Sequence, residues 1–206
     1  MTAPALTFQH RYSPGEPTAP VLLLLHSTGG SPAELLPLAD ALDPRAAVLA
    51  PAGQVSEYGA TRWFRRLAEG VFDFADVAAR ADQLADFVLA ARERYSLRDR
   101  RLVAVGFSNG ANIAAATLLT RPDALSEAVL FSAMMPLPDS PAIELSGTRI
   151  FLANGDNDPM APATSTAELV RALRARSAEV TAVSHPGGHG ITRAGLDAAT
   201  AWIRQS

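Results

Sequence analysis

The chain has 206 residues, 48% hydrophobic and 19% charged, with a net charge of −3 and no cysteine. That length suits one domain over 1–206 with a full core, and the charge gives no basis for electrostatic nucleic-acid binding. The missing cysteines exclude disulfides, thiolate metal sites and a cysteine nucleophile, and the missing lysines exclude a lysine Schiff base or general base.

The start, Met1 to Leu6, has no charged region followed by a long apolar run, so no signal peptide is read there and a cytoplasmic location is expected. The longest clean apolar run, Val21 to Leu25, is too short for a membrane span. Leu6 to Tyr12 alternates as an exposed edge strand, and Ser13 to Pro17 reads as a turn. Val21 to Leu25 fits a strand buried on both faces of a parallel sheet. The glycine-rich loop His26-Ser27-Thr28-Gly29-Gly30 follows it. Ser31-Pro32 is expected to open a helix running to Leu42, and Ala46 to Ala50 a strand stopped by Pro51.

Residues 51 to 74 have no clear period, yet carry Trp63, Phe64, Phe72 and Phe74 with Arg62, Arg65 and Arg66. A connection that long is functional or mobile more often than idle. Val77, Ala81, Leu84, Val88, Ala91 and Tyr95 then step by four and three, the stripe of an amphipathic helix. Further strands are expected over Leu102–Phe107, Ala128–Ser132, Arg149–Ala153 and Glu179–Ser184. Helices are expected over Asn109–Thr120, Thr164–Arg176 and Thr192–Ile203. Strands alternating with helices predict an α/β fold with a mostly parallel central sheet and helices on both faces. Ligands bind such sheets at the carboxyl ends of the strands.

One strand end carries a motif with chemistry. Gly106-Phe107-Ser108-Asn109-Gly110 is G-x-S-x-G between a buried strand and a helix of small residues, the pattern of a nucleophile elbow. Asn109 is expected to open that helix. A serine nucleophile needs a general base, and the base needs an acid to orient it. Only His185 and His189 follow Ser108. His189 is preferred because flanking glycines let its loop turn toward the elbow; His185 reads as a packing or surface histidine. The four-residue spacing of the two could suggest a metal pair, but Pro186, Gly187 and Gly188 argue against a helix there, so neither a metal nor a cofactor is expected. Between Ser108 and His189, Asp158 is preferred as the acid over Asp156, because Pro159 holds it extended. Asp156 reads as a turn former. An oxyanion hole needs two backbone N–H groups, and Asn109 and Thr28 are placed to supply them. His26 reads as a brace for the Thr28 loop.

These residues resemble the serine carboxylesterase/phospholipase branch of the α/β-hydrolases, which includes bacterial carboxylesterases and acyl-protein thioesterases. Leu24 to Gly30 is similar to that family's L-H-G-x-G-G loop, and Arg62 to Asp73 to a segment of its small bacterial members. The elbow, Asn154 to Pro159 and Gly188 to Ile191 correspond as well. The resemblance implies an α/β-hydrolase fold, a triad of Ser108, Asp158 and His189, and an oxyanion hole at Thr28 and Asn109. It also implies a small-molecule ester substrate, with Trp63, Phe64, Met134 and Met135 near its pocket, and thioesters as the alternative substrate class; the lack of an obvious large lid favours small to medium acyl groups, and a non-catalytic binding protein of the same fold is the rival that the complete set Ser108, Asp158 and His189 disfavours. A homodimer is compatible with the composition. Ser27 stands where the family usually has glycine; if that position needs a positive φ, serine strains the loop.

Overall fold

The computed structural model describes residues 6–68 and 70–205. The start read for a signal peptide therefore lies, up to Ala5, outside the described residues, as does Glu69 of the 62–73 segment. Eleven strands and five helices follow one another among the described residues: β1 (His10–Ser13), β2 (Val21–Leu25), α1 (Leu36–Leu42), β3 (Ala47–Pro51), β4 (Val55–Glu57), β5 (Ala60–Arg62), β6 (Arg66–Ala68), β7 (Val71–Phe72), α2 (Phe74–Arg94), β8 (Leu102–Phe107), α3 (Asn109–Thr120), β9 (Glu127–Phe131), β10 (Arg149–Gly155), α4 (Ala163–Arg174), β11 (Glu179–His185) and α5 (Arg193–Arg204).

Seven of the strands form one sheet in the order β1-β3-β2-β8-β9-β10-β11. All its neighbours are parallel except the edge pair β1 and β3. This is the predicted α/β arrangement. Continuous apolar runs at its centre are buried on both faces, with successive residues feeding opposite layers. Val21, Leu23 and Leu25 join one core with residues of α2, α3 and α4. Leu22 and Leu24 join a second core with α1 and α5. Each of these leucines is at most 2% exposed, and burying one contributes about 1.5–3 kcal/mol.

Three local expectations shift. The edge strand occupies His10–Ser13 rather than starting at Leu6. The first helix begins at Leu36, not at Ser31-Pro32, where residues 32–35 form turns instead. Pro37 is the physical reason: it has no N–H to donate to Ala33, so the helical ladder cannot run through from Pro32. Residues 51–74, without a readable period, fold as two small antiparallel hairpins, β4 with β5 and β6 with β7. Their strands are two or three residues long, too short to show alternation.

The hairpins are tied down by side chains from far along the chain. The Trp63 N–H donates to Asn109 Oδ1 at 2.8 Å, and the Trp63 indole to the His26 carbonyl at 2.8 Å. The Arg65 N–H donates to Asp76 Oδ2, on the first turn of α2, at 2.7 Å. No helix among the described residues is long and apolar enough to cross a membrane.

Candidate active site

The loops after β2, β8, β10 and β11 meet at the carboxyl ends of their strands. At the end of β8 the chain turns through Ser108, whose φ of 55° and ψ of −116° lie outside the usual regions for a serine. Such a conformation costs about 1–3 kcal/mol and persists only where the surroundings enforce it. Here they do. A Cβ on Gly106 would strike the backbone at Gly110 and Ala111, and one on Gly110 would strike the Leu25 and His26 carbonyls. Both glycines are needed because α3 starts hard against the strand it leaves and against the end of β2. Ala111, Ala114, Ala115 and Ala116 are fully buried and let the helix stay that close.

Asn109 opens α3 as expected. Ser108 occupies the cap position without a side-chain cap bond, and Asn109 is the first helical residue. Its side chain is buried and takes the Trp63 N–H. That bond ties the start of the helix to the hairpins.

The Ser108 hydroxyl lies 2.9 Å from His189 Nε2, and His189 Nδ1 lies 2.7 Å from Asp158 Oδ2. The Asp158 side chain is fully buried, and its other oxygen accepts the N–H groups of Met160 at 2.8 Å and Ala161 at 3.0 Å. Those two bonds fix the carboxylate so that its free oxygen faces the ring. An ionised Asp158 accepts from Nδ1–H, which leaves Nε2 as the lone-pair nitrogen aimed at the serine. Asp156, the other acid considered, is exposed, and its N–H donates to the His185 carbonyl. His185 ends β11, and its Nδ1 accepts the Gly187 N–H at 3.1 Å. The two histidines thus serve different partners and do not form a pair.

Facing the elbow is the loop after β2. His26 is almost wholly buried and bridges two segments: Nδ1 donates to the Ser27 carbonyl at 2.7 Å, and Nε2 accepts the Gly53 N–H at 2.9 Å. Burial pushes its pKa below the usual histidine value, consistent with a neutral ring that both donates and accepts. Ser27 is not among the positive-φ residues; Gly29, at 76°, makes the left-handed turn. The condition for strain at Ser27 is therefore not met. Its N–H and hydroxyl both donate to the Glu34 carboxylate, at 2.8 and 2.6 Å. Among the described residues the N–H groups of Thr28 and Asn109 have no acceptor. Two open donors beside a strained serine, its imidazole and a buried carboxylate suit addition to a carbonyl with stabilisation of the oxyanion.

A cavity of about 400 Å³ opens onto Ser108, lined by Thr28, Asn109, Arg62, Arg66, Phe72 and Met134 among others. Trp63 and Met135 do not line it: they are 2% and 4% exposed and pack in the core. The indole of Trp63 reaches back to His26 rather than forward to a ligand. Phe64 is likewise buried in the core, so of the four residues expected near the pocket only Met134 lines the cavity, and Phe72 joins it there. Sequence reading also gave no part to Arg62 and Arg66. The available signal was their crowding beside aromatics in an unpatterned connection.

The chain matches the phospholipase/carboxylesterase family over residues 10–206. It is 39% identical over 186 residues to MhqD of Bacillus subtilis, a match spanning 90% of this chain and 93% of that one. The crystal structure of a Bacillus cereus carboxylesterase superposes with a TM-score of 0.93 at 40% identity, covering 97% of this chain and 94% of that one. A carboxylesterase from Mesorhizobium loti superposes with a TM-score of 0.91 at 29% identity, over 98% and 96% of the two chains. The chain belongs to the phospholipase/carboxylesterase family of α/β-hydrolases.

Proposed function

From that membership we propose that the protein is a serine carboxylesterase acting on small to medium acyl esters, with 1–206 as one catalytic domain. The observation that carries this reading is the chain of bonds from Asp158 through His189 to Ser108, at 2.7 and 2.9 Å. His189 Nε2 accepts the Ser108 proton as Oγ attacks the ester carbonyl. The developing oxyanion is held by the N–H groups of Thr28 and Asn109, the second at the positive end of a 12-residue helix. His189 then gives the proton to the departing alcohol. Asp158 stays ionised and steadies the imidazolium between these steps. Water, deprotonated by the same Nε2, releases the acid from the acyl-serine. The roughly 400 Å³ cavity favours small and medium esters over long lipids.

Ser108→Ala removes the nucleophile and leaves the fold's contacts in place. It is expected to lower kcat for p-nitrophenyl butyrate by about 10⁶-fold and to abolish labelling by a fluorophosphonate probe. Turnover near that of the unsubstituted protein would exclude Ser108 as the nucleophile.

A further inference from the structure

The two edges of the seven-stranded sheet are finished differently. β1 is four residues long, carries the exposed Arg11 and runs into Pro14, features that discourage further pairing. β11 is seven residues long and pairs with β10 in unbroken register, from Arg149 opposite Glu179 to Gly155 opposite His185. Val180, Thr181 and Val183 favour a strand, and neither a bulge nor a proline interrupts it. The Glu179 N–H donates to the Thr148 carbonyl, and the Asp156 N–H to the His185 carbonyl. The odd-numbered residues of β11 therefore turn their backbone groups toward β10. Those of Val180, Ala182 and Ser184 point away from the sheet, and among the described residues only the Val180 carbonyl is met, by Arg174 Nη2 at 3.0 Å. Beside this edge a groove of about 790 Å³ runs between β11 and α4, with Leu152, Ala163, Ala167 and Val170 in its walls. Asp156 and Arg174 line it too. Arg174 stands over the start of β11 and Asp156 beside its end, so the groove is basic at one end and acidic at the other. Among the described residues neither forms an ion pair.

We infer that the edge of β11 joins a second copy of the chain, strand to strand and antiparallel, around a two-fold axis through Ala182. The register follows from the strand itself. With Ala182 opposite its own counterpart, Val180 faces Ser184 of the other copy. Each of these three residues then donates one N–H and accepts at one carbonyl on both strands, so every outward backbone group is met. Moving the axis to Val183 would set Val180 against Pro186, which has no N–H, and moving it to Thr181 would set Ser184 against Ala178, before the strand begins. Val180 packs with the α4 layer and Val183 with the α5 layer, so the two faces of the junction are defined. On the α5 face the register sets Glu179 against His185 of the other copy. Glu179 meets Arg149 of its own chain only at 4.0 Å and its side chain is 69% exposed, which leaves the carboxylate open to a second partner. On the α4 face the start of one β11 lies along the end of the other. Arg174 of each copy is thus brought to Asp156 of its counterpart, and the basic end of each groove meets the acidic end of the next. Both α4 helices then stand on the same face and close the two apolar grooves, as an isologous contact requires. A strand from an unrelated protein would satisfy the backbone groups but not these charge pairs at both ends.

Sedimentation velocity on the whole chain at about 50 μM, above the Kd range of standard-size interfaces, is expected to give twice the 21.7 kDa mass of one chain. Ala182→Pro removes an N–H that β10 does not use, and proline is tolerated on an edge strand. It is expected to raise the dimer Kd about 30-fold or more, with an unchanged circular dichroism spectrum. Asp156→Arg and Arg174→Asp are each expected to raise it about ten-fold, and the double variant, which restores the pair in reverse, to recover most of that loss. The chain has no cysteine, so Ala182→Cys places its one thiol at the axis. In a hydrogen-bonded antiparallel pair the Cα atoms lie about 5.5 Å apart, within disulfide reach. Mild oxidation is expected to link Ala182→Cys into a covalent dimer and to leave Ser184→Cys, which lies off the axis, unlinked; this arm decides the matter if the proline variant does not fold. A monomer at about 50 μM overturns the inference, since even the weaker standard-size interfaces are populated there. So does a Kd unmoved by Ala182→Pro, equal cross-linking at positions 182 and 184, or a double charge variant weaker than either single one.

Discussion

The two walls of the Ser108 cavity are built on opposite principles. The elbow and α3 are made of small residues pressed together: glycines at 106 and 110, alanines at 111, 114, 115 and 116, and no charged side chain over Asn109–Thr120. The hairpins β4–β5 and β6–β7 carry large polar side chains joined by charge, with Glu57 paired to both Arg62 and Arg66. Close packing leaves one backbone path, which suits a group that must meet a carbonyl within a few tenths of an ångström. Charge pairs hold their elements in place with less positional demand, and suit a surface that selects substrates. The difference predicts that the elbow fails sharply on small steric changes, while the hairpin wall responds gradually and through charge.

The largest effect is expected at Gly110. Gly110→Ala puts a methyl group into the Leu25 and His26 carbonyls, so α3 must move away from β2 and carry the Asn109 N–H with it. A displacement of that kind costs about 100-fold or more in kcat/KM, read with p-nitrophenyl butyrate and with circular dichroism to establish that the sheet survives. Full activity in the alanine variant would mean the elbow tolerates shifts as the hairpins do, and the contrast would fall.

Glu57→Gln tests the other wall. It removes a negative charge that Arg62 and Arg66 share. Glu57 is 22% exposed on its side chain against 5% for Arg62, so solvent screens part of the loss. A decrease of about 1–3 kcal/mol in unfolding free energy is expected, measured by urea denaturation. An unchanged unfolding free energy would show that the hairpins do not depend on this charge pair, and the contrast would fall.

The same contrast explains what could be read from the chain. Val21–Leu25 and Leu102–Phe107 are contiguous runs, and their burial on both faces follows from those residues alone. Ser108, Asp158 and His189 were legible because glycines, a following proline and chain order restrict which residues meet at strand ends. The hairpins were not legible, since their partners lie elsewhere: Trp63 binds Asn109 and His26, and Arg65 binds Asp76. Asn109 was legible as the opening of its helix, but nothing nearby in sequence announces the Trp63 N–H that its side chain accepts, 46 residues away. Trp63 and Met135 were placed at the pocket by the family resemblance, whereas packing sends both inward. The late start of α1 was readable in principle, from the amide that Pro37 lacks.

Ser27→Gly gives the smallest effect and bears on the loop joining the two walls. A glycine at this position would be required only by a left-handed backbone, and Gly29 makes that turn instead. Ser27 adds what glycine cannot, a hydroxyl donating to Glu34 Oε1 at 2.6 Å alongside the backbone N–H to Oε2 at 2.8 Å. The pair is exposed, so the hydroxyl contributes about 0.5–1 kcal/mol at most, and glycine also gains freedom in the unfolded chain. The loop keeps its two buried anchors, His26 to Gly53 and the Trp63 indole to the His26 carbonyl. Ser27→Gly is therefore expected to lower the melting temperature by a few degrees and to change kcat by less than about two-fold, since the Thr28 N–H is oriented by those anchors. A several-fold rise in kcat would show that serine does distort the donor, and that the loop behaves like the elbow, where one backbone position controls the chemistry.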